Sequence, residues 1–378
     1  MGWQWLAVVA AGIAVIAMVI AVAALRRLGE RDPATVRPWL RRLLRVREYP
    51  PELMAAFTTD RPESERLAFI VNPTKPGVAR LREIAHQTCT ARRLPEPIWL
   101  YTAPGNTGLD LARQAVAAGA DVLIAAGGDG TVRPVAAVAI ESGLPLGIIP
   151  LGTGNLFARN LDVPLGSPTD ALRAIIEGTD SAVDIGRLTV TRESGDEREY
   201  LFLVMAGVGI DAEMVAGAGD GLKRRLGWLA YFVAAFRHFR AKRMRASVTV
   251  EGLEAVEGKM RTVLIANCGR LPGGLVLVPD ARIDDGQLDV ATLDARAGVA
   301  GWAGLVGEVV MQGRSVSTPT LPDAWRAGRI DHARGPSVEV VMESPERVQA
   351  DGELLGRAVR IRAVVDAGCL TVRSRGTF

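Results

Sequence analysis

The stretch from Asp121 to Ser142, DVLIAAGGDGTVRPVAAVAIES, narrows what this chain can fold into more than any other. An apolar run, Val122 to Ala126, leads into Gly127, Gly128, Asp129, Gly130 and Thr131, and apolar residues then recur at helical spacing. That order reads as buried strand, glycine loop and helix. Glycine lets the backbone approach a ligand closely and take positive φ. The first amides of the helix behind the loop lack internal partners and carry partial positive charge, which suits an anionic phosphate. Pro134 is expected in the first turn, where its missing N–H costs nothing. Asp129 repels a phosphate there unless a divalent cation lies between them or the carboxylate orients the reacting hydroxyl. Standing by itself, the loop would read equally as a plain βα turn with the Asp capping the helix. A second loop follows one strand later. Pro145 to Ile149 is a short apolar run that ends in Pro150-Leu151-Gly152-Thr153-Gly154-Asn155-Leu156 and a further helix. Two successive strands ending in glycine loops put both loops at one edge of a parallel sheet, where ligands of such sheets bind.

Upstream, Leu67 to Val71 reads as a strand that runs into Asn72-Pro73-Thr74-Lys75-Pro76-Gly77, another loop at the sheet edge. A helix over Val78 to Arg93, a strand over Ile98 to Thr102 and a helix over Gly108 to Gly119 complete a β-α-β-α-β-loop-α-β-loop-α order. That order implies a parallel sheet covered on both faces, a Rossmann-like α/β unit. Neither a Walker A sequence nor a protein-kinase motif set occurs.

The pair GGDGT and LGTGN resembles the diacylglycerol kinase catalytic-domain family, which includes bacterial diacylglycerol kinases, related lipid kinases and sphingosine kinases. The resemblance covers about 300 residues from 67 onward and implies a Mg²⁺- and ATP-dependent kinase acting on a membrane lipid, with diacylglycerol converted to phosphatidic acid as the leading reaction. It implies nucleotide contacts at Asn72, Pro73, Thr74, Thr102, Gly127, Gly128, Asp129, Gly130, Thr131, Gly152 and Thr153. In Val348-Gln349-Ala350-Asp351-Gly352-Glu353-Leu354 it assigns Glu353 as general base toward the lipid hydroxyl; an Asp-Gly hairpin turn accounts for Asp351 and Gly352 but not for Glu353. In Ala281 to Asp289 it implies a structural Mg²⁺ at Asp285 with the carbonyls of Arg282 and Gln287, where an Asp-Gly turn without metal is the other reading. Gly207 to Ala212 also matches a family segment, with no role assigned. Two departures stand out: Arg133-Pro134 where Asn-Glu often follows GGDGT-x, and Leu156 where an Asp often follows G-T-x-N.

From Asp184 the pattern becomes alternating, with short strands expected at Ala246 to Val250, Arg261 to Ala266, Leu288 to Thr292, Ser337 to Met342, Arg347 to Leu354 and Val359 to Val365. That is the signature of an antiparallel β domain; with the resemblance, it becomes a β-sandwich that meets the first domain at the catalytic cleft. Gly221 to Arg245 has a wide apolar face and basic ends, which suits either a helix at a lipid surface or a core helix with solvated ends.

At the other end, Leu6 to Leu25 is twenty residues of apolar side chains or glycine, preceded by Trp3 and Trp5. At about 1.5 Å per residue it spans a hydrocarbon core of about 30 Å. It has no Lys or Arg before it, as a cleaved signal peptide would. Eight arginines against two acidic residues follow over 26–47, which places the rest of the chain on the cytoplasmic side and offers contact with anionic headgroups. The expectation is a single-pass cell-membrane protein: anchor 1–25, basic tether 26–66, nucleotide-binding domain 67–183, lipid-substrate domain 184–365, and a C-terminal segment 366–378 that the resemblance implies returns to the first domain. Cys89, Cys268 and Cys369 form no disulfide or zinc pattern, and no nucleic-acid partner is expected. The rivals are an NAD kinase, which shares GGDG, and a membrane-bound lipid-binding protein with a decayed kinase fold. The lipid and the oligomeric state are not legible.

Overall fold

The computed structural model describes residues 64–106, 108–209, 243–271, 275–276, 278, 281–295 and 328–375. Four strands open the fold: β1 (Leu67–Val71), β2 (Ile98–Tyr101), β3 (Val122–Gly127) and β4 (Leu146–Pro150). They pair in parallel in the order β4-β3-β1-β2. Every residue of β1, β3 and β4 is buried, as expected of a parallel sheet covered on both faces. The helices are α1 (Val78–Ala91), α2 (Leu109–Ala117), α3 (Asp129–Ser142), α4 (Leu156–Asn160) and α5 (Pro168–Glu177). Pro134 lies inside α3, not in its first turn. It therefore forfeits the helical hydrogen bond to the Gly130 carbonyl.

From β5 (Thr179–Thr191) onward the strands run antiparallel: β6 (Glu197–Phe202), β7 (Met205–Val208), β8 (Met244–Val250), β9 (Val256–Met260), β10 (Thr262–Ala266), β11 (Arg270–Leu271), β12 (Leu275–Val276), β13 (Leu288–Ala295), β14 (Gly328–Gly335) and two long ones, β15 (Ser337–Ala350) and β16 (Glu353–Ser374). The sequence divides this region into three short strands. The chain instead runs on through a bulge between Val341 and Glu346, which takes up Pro345 outside the regular ladder. On one side of that bulge β15 pairs with β8 (Met244–Val250); on the other it pairs with β7 (Met205–Val208). One strand thus serves both layers of a sandwich, turning the corner at the bulge. Between the layers lies one apolar cluster, including Leu188, Phe202, Val263, Val340 and Ile361. A second cluster fills the α/β part around Phe69, Ile124, Ile149 and Leu172.

The last strand ties the two parts together. β16 pairs with β5 along most of its length and with β4, in parallel, at Val372 and Leu146. Arg373, 5% exposed, reaches Asp180 at 2.6 Å and Glu65 at 2.7 Å, fixing the end of β16 beside the start of β1. Asp184 is a second tie. Its carboxylate accepts from Gly368 N–H at 2.7 Å and Gly286 N–H at 2.6 Å, while its carbonyl accepts from the Asn267 side chain at 2.8 Å. The architecture is α/β followed by β-sandwich.

One expectation is corrected. Among the described residues no helix is long and apolar enough to cross a membrane. The longest of them, α1 and α3, have 14 residues each, about 21 Å of rise against a hydrocarbon core of about 30 Å. The transmembrane helix, and with it the placement as a single-pass cell-membrane protein with cytoplasmic catalytic domains, is therefore withdrawn. The segments that suggested it, 1–25 and the basic stretch up to 63, lie outside the described residues. So does most of the amphipathic stretch 221–245, namely 221–242.

Candidate active site

The two glycine loops meet backbone to backbone. A Cβ on Gly152 would lie 2.6 Å from the Gly128 Cα and 2.7 Å from Asn155 Oδ1, closer than atoms can approach, so a side chain at 152 would push the loops apart. The Leu151 N–H donates to the Gly127 carbonyl at 2.8 Å. Asn155, in the left-handed region at φ 48°, holds the second loop closed: its Oδ1 accepts from Gly152 N–H at 3.0 Å and its Nδ2 donates to Gly152 O at 2.8 Å. Gly127 must be glycine because the Thr131 side chain packs where a Cβ would be, at 2.3 Å. Around Gly130 there is open space. Thr153 is exposed at the rim of the second loop.

Asp129 opens α3 and joins the two loops. Its Oδ1 accepts from Leu156 N–H at 2.6 Å, so it caps α4, the helix behind the second loop. Burial raises its carboxyl above the ordinary value, and the N–H groups of Leu156, Phe157, Asp129 itself and Asn155 pull it back. The contact is made by the main chain of Leu156, so it does not depend on the side chain at that position.

The remaining expected nucleotide contacts lie along the same sheet edge. Asn72 N–H donates to Ala126 O at 3.0 Å, just before Gly127, and Asn72 Oδ1 accepts from Thr74 N–H and Thr74 Oγ1–H at 3.1 and 2.7 Å. Thr102 N–H donates to Val71 O at 2.8 Å at the end of β2. Pro73 lines a groove of about 720 Å³ between this loop, α1 and Tyr101. None of the groove's lining residues belongs to the glycine loops, so its size does not identify the site of chemistry.

Glu353 comes to the loops from the other part of the chain. It stands at the start of β16, just past the turn Asp351-Gly352, whose φ angles of 48° and 80° are those of a tight hairpin. Asp351 does more than turn the chain. Its carboxylate accepts from the N–H groups of Leu203, Val204 and Met205 at 2.8, 2.9 and 3.1 Å, and its own N–H donates to Met205 O at 2.8 Å. Burial pushes its carboxyl up, while those three N–H groups and the Arg133 charge pull it back. From α3, Arg133 donates to the Ala350 carbonyl at 3.3 Å and forms an ion pair with Glu353. The residue that sequence marks only as a departure is thus the one that joins the glycine-loop helix to the hairpin. Burial pushes the Cys268 thiol well up; the charge of Asp351 adds to the rise, that of Arg270 opposes it, and that of Asp129 adds to it again.

The turn at 282–287 is built differently. Asp285 Oδ1 accepts from Gln287 N–H at 3.1 Å, its Oδ2 lies 3.5 Å from an Arg334 amino nitrogen, and Arg334 also bridges to Asp289 at 3.2 Å. Arg282 pairs with Asp284. A guanidinium already stands against the carboxylate expected to hold a metal, and no group of three or more His, Cys, Asp or Glu with metal-site placement occurs among the described residues.

Comparison with known proteins agrees with this architecture. Residues 66–188 match the diacylglycerol kinase catalytic domain, and residues 203–373 match the YegS C-terminal NAD kinase beta sandwich-like domain. A Pseudomonas aeruginosa protein described as "Probable lipid kinase YegS-like" is 34% identical over 265 residues, covering 69% of this chain and 79% of that protein. An uncharacterized Synechocystis protein is 31% identical over 247 residues, where the match spans 63% of this chain and about half, 51%, of the relative. In fold, the chain resembles a solved diacylglycerol kinase from Bacillus anthracis, with a TM-score of 0.59 at 23% identity over 82% of this chain and 97% of that one. The chain belongs to the YegS-like lipid-kinase family, ATP-binding transferases of lipid metabolism that pair a diacylglycerol kinase catalytic domain with a YegS-type β-sandwich.

Proposed function

We propose that this protein transfers the γ-phosphoryl group of ATP to the free hydroxyl of diacylglycerol, yielding phosphatidic acid and ADP. The observation that carries the reading is the contact between α3 and the hairpin: one arginine spans from the glycine-loop helix to Glu353. The helix behind the first glycine loop and the hairpin that carries the carboxylate are thus in contact, 217 residues apart in sequence at the Arg133–Ala350 hydrogen bond.

Each group has a role in this reading. The backbone of Gly127, Gly128, Gly130 and Gly152 lets the triphosphate lie against the start of α3, whose dipole favours anionic charge. Thr131 and Thr153 border that surface, and Asn72, Pro73, Thr74 and Thr102 border the nucleotide farther along the edge. Asp129 fixes the two loops relative to each other through Leu156. Glu353 receives the proton of the lipid hydroxyl as that oxygen bonds to the γ-phosphorus and the bond to the β–γ bridging oxygen breaks, releasing ADP. Mg²⁺ accompanying ATP supplies charge neutralisation on the transferring group. Asp285 is read as a structural turn held by Arg334. The substrate comes from a lipid surface, and the arginines over 26–47 favour an anionic one.

Purified protein incubated with Mg²⁺ and γ-labelled ATP, with a total lipid extract in one arm and NAD in another, tests the reading. Label is expected in a lipid that co-migrates with phosphatidic acid. Label on NAD, or on no acceptor, would overturn it.

A further inference from the structure

Glu353 has a side chain 59% exposed, on the rim of a turn. A carboxylate that free can adopt many rotamers, few of which aim at the phosphate loops. The hairpin backbone beneath it is fixed from the β side by Asp351, through the N–H groups of Leu203, Val204 and Met205, and by Gly352 N–H on Gln349 Oε1 at 2.8 Å. Nothing in that network reaches the Glu353 carboxylate. Arg133 does, and it comes from α3, in the other part of the chain. Its position is one helical turn past Asp129, its side chain is 23% exposed, and one guanidinium touches both the Ala350 carbonyl and Glu353.

We infer that Arg133 is a positioning residue: it holds the Glu353 carboxylate over the glycine loops before substrate arrives, and so couples the placement of the proton acceptor to the helix that faces the phosphates. The inference rests on the lipid-kinase reading above and adds to it a role for the residue standing where relatives often carry Asn. Alignment is what this chemistry demands of the protein. The transition state of phosphoryl transfer is loose, with the attacking and leaving oxygens roughly in line, so the group that takes the hydroxyl's proton acts mainly by orienting that oxygen. A neighbouring cation that fixes the direction of the carboxylate serves that alignment. Arg133 is a weak candidate for a purely structural part, because partly exposed ion pairs contribute little to folding.

The test uses the full chain and four variants: Arg133→Met, Arg133→Lys, Glu353→Gln and the double variant Arg133→Met/Glu353→Gln. It measures kcat and KM for ATP and for diacylglycerol in mixed micelles, with thermal midpoints as a check on folding. Arg133→Met is expected to lower kcat by about 100-fold with KM for ATP within about 2-fold, the signature of a misplaced group. Arg133→Lys, which keeps the charge, should recover at least about 10-fold of that loss. In the Glu353→Gln background, Arg133→Met should change kcat by less than about 2-fold, since the group it acts through is gone. Three results would overturn the inference: wild-type kcat in Arg133→Met, the same loss in the Glu353→Gln background, or a loss confined to KM for ATP, which would make Arg133 a phosphate contact. An inactive Glu353→Gln beside a fully active Arg133→Met sinks this inference alone. A fully active Glu353→Gln removes the assignment of Glu353 as base as well.

Discussion

Asp129 and Asp351 are two carboxylates put to the same use, each gathering backbone N–H groups from a segment far away in sequence. Both are pushed up by burial. The sign follows from linkage. A carboxyl whose folded value is raised binds its proton more tightly in the folded state, so its contribution to stability is greatest at low pH. That contribution declines as pH rises from the ordinary aspartate value of 3.8 through the raised one. Asp129→Asn keeps an acceptor oxygen for Leu156 N–H but cannot ionise. The stability of the wild type relative to Asp129→Asn, read from urea midpoints, should therefore fall as pH is raised across that window; a difference that rises with pH would contradict the burial argument. At this scale the motifs pointed to Asp129 and Glu353, because their residue types and neighbours are local. Arg133 read only as a departure and Asp351 only as a turn residue. Their partners lie more than 140 residues away along the chain, and no spacing rule reports such a pairing.

Strands that are apolar throughout and end in glycine loops are readable from sequence, since burial on both faces leaves no alternation and the loops need residues without Cβ. The contact between the loops follows from the fold and sets a limit on substitution. Gly152→Ala would drive a methyl into Gly128 Cα and Asn155 Oδ1. It should cost about 1–3 kcal/mol of stability, the range for an overpacked site, and weaken ATP binding. Isothermal titration and thermal unfolding check both, and unchanged values in the two assays would mean that the loops are not in contact. Strand lengths were less legible. Glu343-Ser344-Pro345 reads as a break, yet β15 passes through it, because a bulge accommodates a proline that a regular ladder would reject. Pro134 was misplaced for a related reason: α3 begins at Asp129, one turn earlier than a proline-first helix would.

Two apolar cores, one in the α/β part and one inside the sandwich, are joined by β5 and β16, and Arg133 crosses from the first part to the second. The change from helical to alternating pattern near Asp184 announced two kinds of architecture. The return of β16 to β4 rested on resemblance alone, since a single register pair at Val372 has no signature in sequence. The hydrophobic N-terminal run led to a membrane-spanning expectation that the described helices do not meet. What the molecule does turns on whether its two parts supply one reaction centre. The direct measurement is the rate of phosphatidic acid formation from diacylglycerol and Mg²⁺-ATP by the wild type and by Glu353→Gln, with ATP affinity measured alongside. The account predicts a fall of at least about 100-fold in rate with ATP affinity within about 2-fold; a Glu353→Gln protein that makes phosphatidic acid at the wild-type rate would contradict it.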